Sequence, residues 1–157
     1  MKILYVLDDD PSGLHTLEHV VTEARQCLAD LVLLDVIDTR PGGDTQLSKP
    51  QPSQQKNSLL RERLARLESF VLMNGCDAEA LRARVLFGER THEIARTAAE
   101  GDFDLVIKHP EPGTTDRLLT QHCPCPVLLC AAPSQLTADT ILDALSPPLP
   151  RQDKAVA

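Results

Sequence analysis

The sequence predicts an α/β fold, namely a doubly wound parallel sheet of five strands with helices on both faces. Short apolar segments alternate along the chain with segments whose apolar residues recur at helical spacing. Most of the short segments are apolar at nearly every position, which is typical of strands buried on both faces. A chain of 157 residues, of which 42% are hydrophobic, suits one domain with one core.

The first two predicted strands are separated by a helix. The run KILYVL at 2 to 7 is the candidate central strand, and it ends at three aspartates that begin with Asp8. Ser12 is the candidate N-cap of the helix. The apolar face of that helix consists of Leu14, Leu17, Val21, Ala24 and Leu28. The run LVLLDVI at 31 to 37 is the second strand.

Residues 38 to 58 are rich in Pro, Gly, Gln and Ser and have no apolar face, so we expect a long flexible loop. Loops of this length in compact domains tend to be functional or disordered. A helix is predicted over 60 to 71, where three leucines and a valine recur every three or four residues. The Asn-Gly pair at 74 and 75 ends it.

The third strand, predicted over 81 to 87, alternates apolar residues with arginines, which indicates an edge of the sheet. Thr91 is the candidate cap of the next helix, and Gly101 is its candidate end. Residues 133 to 157 are predicted as a C-terminal extension of a domain that covers 1 to 132. The extension has one weak amphipathic segment, with the apolar residues Leu136, Ile141, Leu142 and Leu145, and a Pro-rich end expected to be disordered.

The stretch from 104 to 130 supplies the last two strands. Leu105 to Lys108 and Val127 to Cys130 are apolar runs, and a Pro/Gly loop and a short helix join them. This order predicts a crossover between parallel strands. Ligands of open parallel sheets lie beyond the carboxyl ends of the strands, so we expect any ligand site in the loop that follows Lys108.

Composition excludes several classes of function. The formal net charge of -7 argues against a protein that binds the phosphate backbone of nucleic acids. The apolar run at the start of the chain is cut off by aspartates and is far shorter than a signal peptide or a membrane span. We therefore expect a cytoplasmic protein that contacts neither nucleic acid nor membrane.

The cysteines do not predict a metal site or a disulfide framework. The chain has five cysteines, an odd number, in a domain large enough to fold by burial alone. His122, Cys123 and Cys125 form a possible ligand group, but Cys-x-Cys with a rigid proline inside is not zinc spacing. Cys130 lies too far along the strand to join them. A disulfide between Cys123 and Cys125 would be strained.

Three stretches resemble one known family. DDDPSGLHTLEH at 8 to 19, GERTHEI at 88 to 94, and FDLVIK followed by HCPCPVLL at 122 to 129 are similar to stretches of the universal stress protein family. The resemblance covers about Ile3 to Cys130, roughly four-fifths of the chain. It implies a sheet of strand order 3-2-1-4-5, and it implies a homodimer.

The sequence departs from that family after the fourth strand. Nucleotide-binding members have a glycine-rich loop there, whereas this chain reads HPEPGTTDR, with one glycine, two prolines and Glu111. A proline offers no N–H to a phosphate and a carboxylate repels one, so ATP binding in the family's manner is disfavoured. The chain more closely resembles members that lack the loop, through Thr115, Asp116, Leu119, Cys123 and Pro124.

The favoured hypothesis is a stress-response adaptor that is not an enzyme, has no cofactor, and acts by dimerisation and association with an unknown protein partner. The dimer interface is expected at the last strand. Its residues are Val127, Leu128, Leu129 and Cys130. Pairing of the free edge with the same strand of a second copy would give a symmetric dimer.

The alternative is a regulatory switch that binds ATP or AMP through a degenerate phosphate loop. Its nucleotide-binding residues would be Asp8, Val36, Gly88, Gly113, Thr114 and Thr115. The resemblance implies the roles of Asp8 and Val36, and Thr114 and Thr115 could donate their hydroxyls to an anion at the start of the short helix. Each also has a purely structural interpretation, such as helix capping by Thr114. A third alternative, slow ATP hydrolysis, has the least support, because nothing positions a water molecule or a metal ion beyond the aspartates at 8 to 10.

Overall fold

The fold is one parallel sheet of five strands in the order 3-2-1-4-5, which confirms the predicted class and topology. The computed structural model describes residues 1–7, 12–38, 53–73 and 81–146, without the side chains of 12–15, 53 and 81. The strands are β1 (Lys2–Val6), β2 (Asp30–Asp38), β3 (Leu81–Gly88), β4 (Leu105–Lys108) and β5 (Val127–Leu129). As predicted, β1 is central and β3 is an edge strand.

Helices cover both faces of the sheet and form two cores. The helices are α1 (Ser12–Gln26), α2 (Ser53–Met73), α3 (Arg90–Glu100), α4 (Thr115–His122) and α5 (Ala138–Leu145), and a 3-10 turn spans Pro133–Gln135. The α1-side core packs the sheet against α1, α2 and α5. The α3-side core packs it against α3 and α4. None of the described helices has both the length and the apolar character needed to span a bilayer.

Strand β1 shows why the sequence of a central strand has no polar side. Ile3 and Tyr5 belong to the α1-side core, and Leu4 and Val6 belong to the α3-side core. All four side chains are at most 1% exposed. Successive residues of a strand point to opposite faces, so a strand covered on both faces is apolar on both of its sides. Burying one such side chain stabilises the fold by about 1.5–3 kcal/mol.

Helix α2 begins at Ser53, so the predicted flexible loop was wrong over 53 to 58. Residues 54 to 58 are exposed, and they therefore carry no apolar periodicity that could reveal a helix. Glutamine and lysine are good helix formers, and the amphipathic part of α2 that follows anchors the polar first turns. Residue 38 ends β2, and the rest of the predicted loop lies outside the described residues.

The ends of two other helices differ from the prediction. Helix α3 begins at Arg90 with Glu89 at its N-cap position, so Thr91 is not the cap. The Thr91 hydroxyl is buried and makes no hydrogen bond to the described residues. Helix α1 ends at Gln26, and Leu28, predicted on its apolar face, is 90% exposed with a φ of 53°. The Ser12 side chain lies outside the described part.

The first part of the predicted C-terminal extension, 133–146, is packed into the α1-side core. Leu136 and Ile141 are fully buried there. His19 Nε2 lies 2.6 Å from the Leu136 carbonyl oxygen, and the Ala138 N–H donates to the Glu23 carboxylate at 2.7 Å. The sequence predicted the amphipathic segment that contains Leu136 and Ile141, but it did not predict that these two side chains are fully buried. Residues 147 to 157 lie outside the described ranges.

Candidate functional site at the carboxyl ends of the central strands

The candidate site lies where the strand order reverses, between β1 and β4. The chain leaves β1 toward α1 on one face of the sheet, and it leaves β4 toward α4 on the other face. This divergence opens a crevice beyond the carboxyl ends of the two strands, which is where open α/β sheets bind ligands. Four charged side chains occupy the crevice, and we call them the switch-point cluster: Arg90, Lys108, Glu111 and Asp116.

Lys108 is the last residue of β4, and its side chain is fully buried. Its ammonium group donates a hydrogen bond to the His109 carbonyl oxygen at 2.9 Å. It also donates to the Asp116 carboxylate and lies 3.7 Å from Glu111 Oε1. A buried ammonium group is stable only when it is paired and hydrogen-bonded, and here both conditions hold.

Arg90 is the second cation of the cluster, and it joins three elements. It begins α3, and one of its terminal nitrogens donates to the Leu7 carbonyl oxygen, just beyond β1, at 3.1 Å. Its Nε lies 2.5 Å from Glu111 Oε1. That N–H does not point at the oxygen, so the contact is an ion pair rather than a hydrogen bond. The Glu111 carboxylate therefore lies against two cations, Arg90 and Lys108.

Asp116 pins the loop between β4 and α4. One of its carboxylate oxygens accepts the Glu111 N–H at 2.7 Å, and the other accepts from Lys108. Asp116 lies in the first turn of α4, where the helix dipole favours a negative charge. The side chains of Glu111 and Asp116 are only 18% and 15% exposed. Two cations thus face two carboxylates in a mostly dry crevice, and their formal charges cancel.

Two of the proposed nucleotide-binding residues are enclosed by protein. Val36 is 3% exposed in β2 and belongs to the α3-side core. The space over Gly88 is taken by the Glu93 side chain, which would lie 2.6 Å from a Cβ at that position. Glu93 is in turn paired with Arg96.

The other proposed nucleotide-binding residues lie around the loop before α4. Gly113 has a φ of 95°, a conformation that favours glycine, and a Cβ there would meet open space. Thr114 occupies the N-cap position of α4, but its side chain makes no capping hydrogen bond. Thr115 is the first residue of α4. Asp8 lies outside the described residues, so the structure does not relate it to the others.

Sequence reasoning identified Glu111 as unfavourable to phosphate but missed the two cations beside it. Arg90 lies more than twenty positions before Glu111, and no local spacing links the two residues. Lys108 was recognised only as the end of a strand. The sequence did contain a signal for the buried ion pair of Lys108. A lysine at the end of an apolar run that is buried on both faces requires a buried carboxylate partner.

The predicted interface strand β5 lies at the free edge of the sheet. Val127 packs against the α3-side core, Leu128 packs against the α1-side core, and Leu129 is 40% exposed. Cys130 is the last residue of the predicted interface. It follows β5, its side chain is 2% exposed, and its thiol donates to the Ala132 carbonyl oxygen.

The two cysteines before β5 lie side by side, with the Sγ atoms of Cys123 and Cys125 3.7 Å apart. His122 does not join them in a metal site. Within the described ranges, no three His, Cys, Asp or Glu side chains are grouped so that they could hold a metal ion. Cys76 lies outside those ranges.

Comparison with known proteins identifies one family. The model of the universal stress protein family matches residues 1–131. The fold is similar to that of universal stress protein UspA from Lactobacillus plantarum, with 20% identity and a TM-score of 0.64, covering 82% of this chain and 96% of that one. None of the curated proteins matches the chain.

Two further solved structures of similar fold contain nucleotides. The universal stress protein from Archaeoglobus fulgidus in complex with dAMP is 18% identical, with a TM-score of 0.58 and coverage of 82% of this chain and 96% of that one. A universal stress protein family protein from Arabidopsis thaliana with AMP bound is 13% identical, with a TM-score of 0.55 and coverage of 82% and 90%. At these identities the likeness concerns the fold alone.

Proposed function

Because the chain belongs to the universal stress protein family, we propose that it is a cytoplasmic stress-response adaptor that dimerises and binds a protein partner. In this proposal it does not hold ATP firmly and is not an enzyme. The observation that carries the proposal is the position of the Glu111 carboxylate, which lies 2.5 Å from Arg90 and 3.7 Å from Lys108.

The switch-point cluster leaves no net charge for an anionic ligand. A phosphate that approached Arg90 or Lys108 would have to displace Glu111 or lie beside it, and two like charges in one site repel each other. Displacement would leave a partly buried carboxylate without its partners, and breaking a buried pair costs about 3–5 kcal/mol. Firm phosphate binding at this place is therefore disfavoured.

The backbone of the loop is equally unsuited to phosphate. Phosphate loops use several backbone N–H groups that converge on one anion. Here Pro110 and Pro112 have no N–H, and the Glu111 N–H is already bonded to Asp116. Residues 110 to 112 therefore offer no free donor to a ligand.

The edge of β5 supports dimerisation. The Pro126 carbonyl oxygen and the Cys130 N–H both bond to β4, so the even-numbered residues face β4 and the backbone groups of Val127 and Leu129 point outward. An antiparallel partner strand centred on Leu128 would pair Val127 of each copy with Leu129 of the other. The exposed side chains of Leu129 and of Leu142 on α5 add apolar surface near this edge.

Light scattering after size exclusion tests the dimer. The full chain, of 17.2 kDa, is expected at twice that mass. Leu129→Pro removes an outward N–H that β4 does not use, and this variant should be monomeric with an unchanged circular dichroism spectrum. Leu129→Val keeps the N–H and is the matched control. A monomeric wild-type protein, or a Leu129→Pro variant that still dimerises, contradicts the proposal.

The second candidate function is a nucleotide-regulated switch, which the dAMP and AMP complexes of the two neighbours favour. In that case Asp8, Val36, Gly88 and residues 113 to 115 would hold ATP or AMP, and Glu111 would leave the cluster to admit the phosphate. The two candidates differ in one measurable quantity, which is the affinity of the wild-type protein for adenine nucleotides.

A further inference from the structure

Two thiols meet at the junction of α4 and β5. Cys123 is the C-cap residue of α4, the chain bends at Pro124 and Cys125, and β5 begins at Val127. The two Sγ atoms are 3.7 Å apart. Both side chains are partly buried against the α3-side core, so they are held in place while a small reagent can still reach them.

We propose that Cys123 and Cys125 form a reversible dithiol–disulfide site that reacts with low-molecular-weight disulfides, with Cys123 as the attacking thiolate and Cys125 as the resolving thiol. This inference is independent of the proposed adaptor function, because it involves neither the switch-point cluster nor the outward groups of β5.

The distance between the thiols suits bond formation within one chain. A disulfide is about 2.0 Å long, so the two sulfur atoms must approach by less than 2 Å. The rigid proline between them limits the backbone freedom that ring closure would remove. A disulfide across a single intervening residue would be strained, and strained or exposed disulfides have more oxidising potentials and are the labile ones. Strain therefore argues against a permanent structural bridge and for a reversible one.

Hydrogen bonding divides the roles between the two thiols. Hydrogen bonding with the Cys125 thiol, and then with the Cys125 backbone, lowers the pKa of Cys123 to about 7 against an opposing effect of burial. The same thiol–thiol bond, and then burial, raises the pKa of Cys125, and the nearby Asp104 carboxylate adds to the rise. A substantial fraction of Cys123 is therefore thiolate at neutral pH, whereas Cys125 keeps its proton until the second step.

The other described cysteines do not share this environment. Burial raises the pKa of the Cys130 thiol, which is 2% exposed. Burial also raises the pKa of Cys27, with a further contribution from Glu23 and Asp139. Both thiols are therefore poor nucleophiles, and each provides an internal comparison for the pair.

The reaction proceeds in two exchanges. The Cys123 thiolate attacks one sulfur of the small disulfide, forms a mixed disulfide with it, and releases one small thiolate. Cys125 then loses its proton and attacks Cys123 Sγ, which forms the Cys123–Cys125 bond and releases the second small thiolate. The protein loses two electrons and two protons, and the small disulfide becomes two small thiols.

Mass spectrometry of the full chain in glutathione buffers of increasing oxidised fraction tests the proposal. The wild-type protein should lose about 2 Da as the internal disulfide forms. Trypsin releases residues 118 to 151 as one peptide, whose fragment ions distinguish Cys123, Cys125 and Cys130. Cys125→Ser should accumulate the glutathione adduct on Cys123, because no resolving thiol remains. Cys123→Ser should react at least ten-fold more slowly, and Cys27→Ser, the control, should behave as wild type.

Three results would overturn the proposal. These are a wild-type protein that forms no internal disulfide at any glutathione ratio, a Cys125→Ser variant modified at Cys130 instead of Cys123, and a Cys123→Ser variant that reacts at the wild-type rate. Circular dichroism of each variant confirms that it is folded before the reaction is measured.

Discussion

Replacing Lys108 with methionine tests whether the switch-point cluster holds the crevice together. Lys108→Met keeps a long apolar side chain of similar size, so little cavity forms, but it removes the ammonium group that joins His109, Asp116 and Glu111. Of the two carboxylates in the cluster, Glu111 then keeps a cationic partner, Arg90, and Asp116 does not. Asp116 loses its charged partner while it stays mostly buried.

The expected loss of stability in Lys108→Met follows from the burial of the pairs that it breaks. Lys108 is fully buried, so solvent screens its pairs little, and breaking a buried pair costs about 3–5 kcal/mol. The Asp116 and Glu111 side chains keep 15% and 18% exposure, and Arg90 still neutralises Glu111, which places the expected loss at the lower end. A loss of about 3 kcal/mol lowers the midpoint of thermal unfolding by about 6–12 °C in a domain of this size.

Urea unfolding followed by circular dichroism measures the loss. Lys56→Met on the exposed start of α2 is the matched control, and its free energy of unfolding should stay within about 0.5 kcal/mol of wild type. Asp116→Asn added to Lys108→Met should recover part of the loss, with a coupling energy of at least about 1 kcal/mol. A Lys108→Met variant as stable as the control, or effects of Lys108 and Asp116 that simply add, would refute the reasoning.

Two further predictions concern the C-terminal segment and the thiol pair. Ile141→Ala should lower the free energy of unfolding by about 2–4 kcal/mol, because the Ile141 side chain is fully buried. Leu142→Ala is the control and should cost far less, because Leu142 is 47% exposed. Equal losses for the two variants in urea unfolding would contradict the packing of α5. Only a thiolate is alkylated, so the rate of Cys123 alkylation by iodoacetamide should fall as pH drops through about 7, and a midpoint near 9 would contradict the hydrogen bond from Cys125.

The sequence predicted those helices and strands in which buried apolar residues recur at regular spacing. β1 was identified as central because Lys2 is followed by an unbroken apolar run, and β3 as an edge because its arginines alternate with apolar residues. The first turns of α2 were missed because a fully exposed helical turn has no apolar face to reveal it. The strand order itself came from the family resemblance, since the residues alone do not specify which buried strands are neighbours.

The candidate site was harder to predict than the fold because its contacts are not local. Glu111 could be identified from the loop sequence, but its partner Arg90 comes from another βα unit and reaches it only in the folded sheet. The burial of Leu136 has the same origin, because it depends on packing against α1 rather than on any pattern within the tail. The contact between Cys123 and Cys125 lies between these cases, because the residues are adjacent but the bend at Pro124 decides the distance.

The most direct test of the account is titration calorimetry with ATP and AMP, with Mg²⁺ present, on protein that was unfolded and refolded to remove any carried ligand. We predict no binding heat for the wild-type protein up to millimolar nucleotide, and measurable binding for Glu111→Gln, which leaves Arg90 without the Glu111 carboxylate while Lys108 keeps Asp116. Micromolar binding by the wild-type protein would contradict the central claim and make the chain a nucleotide-dependent switch.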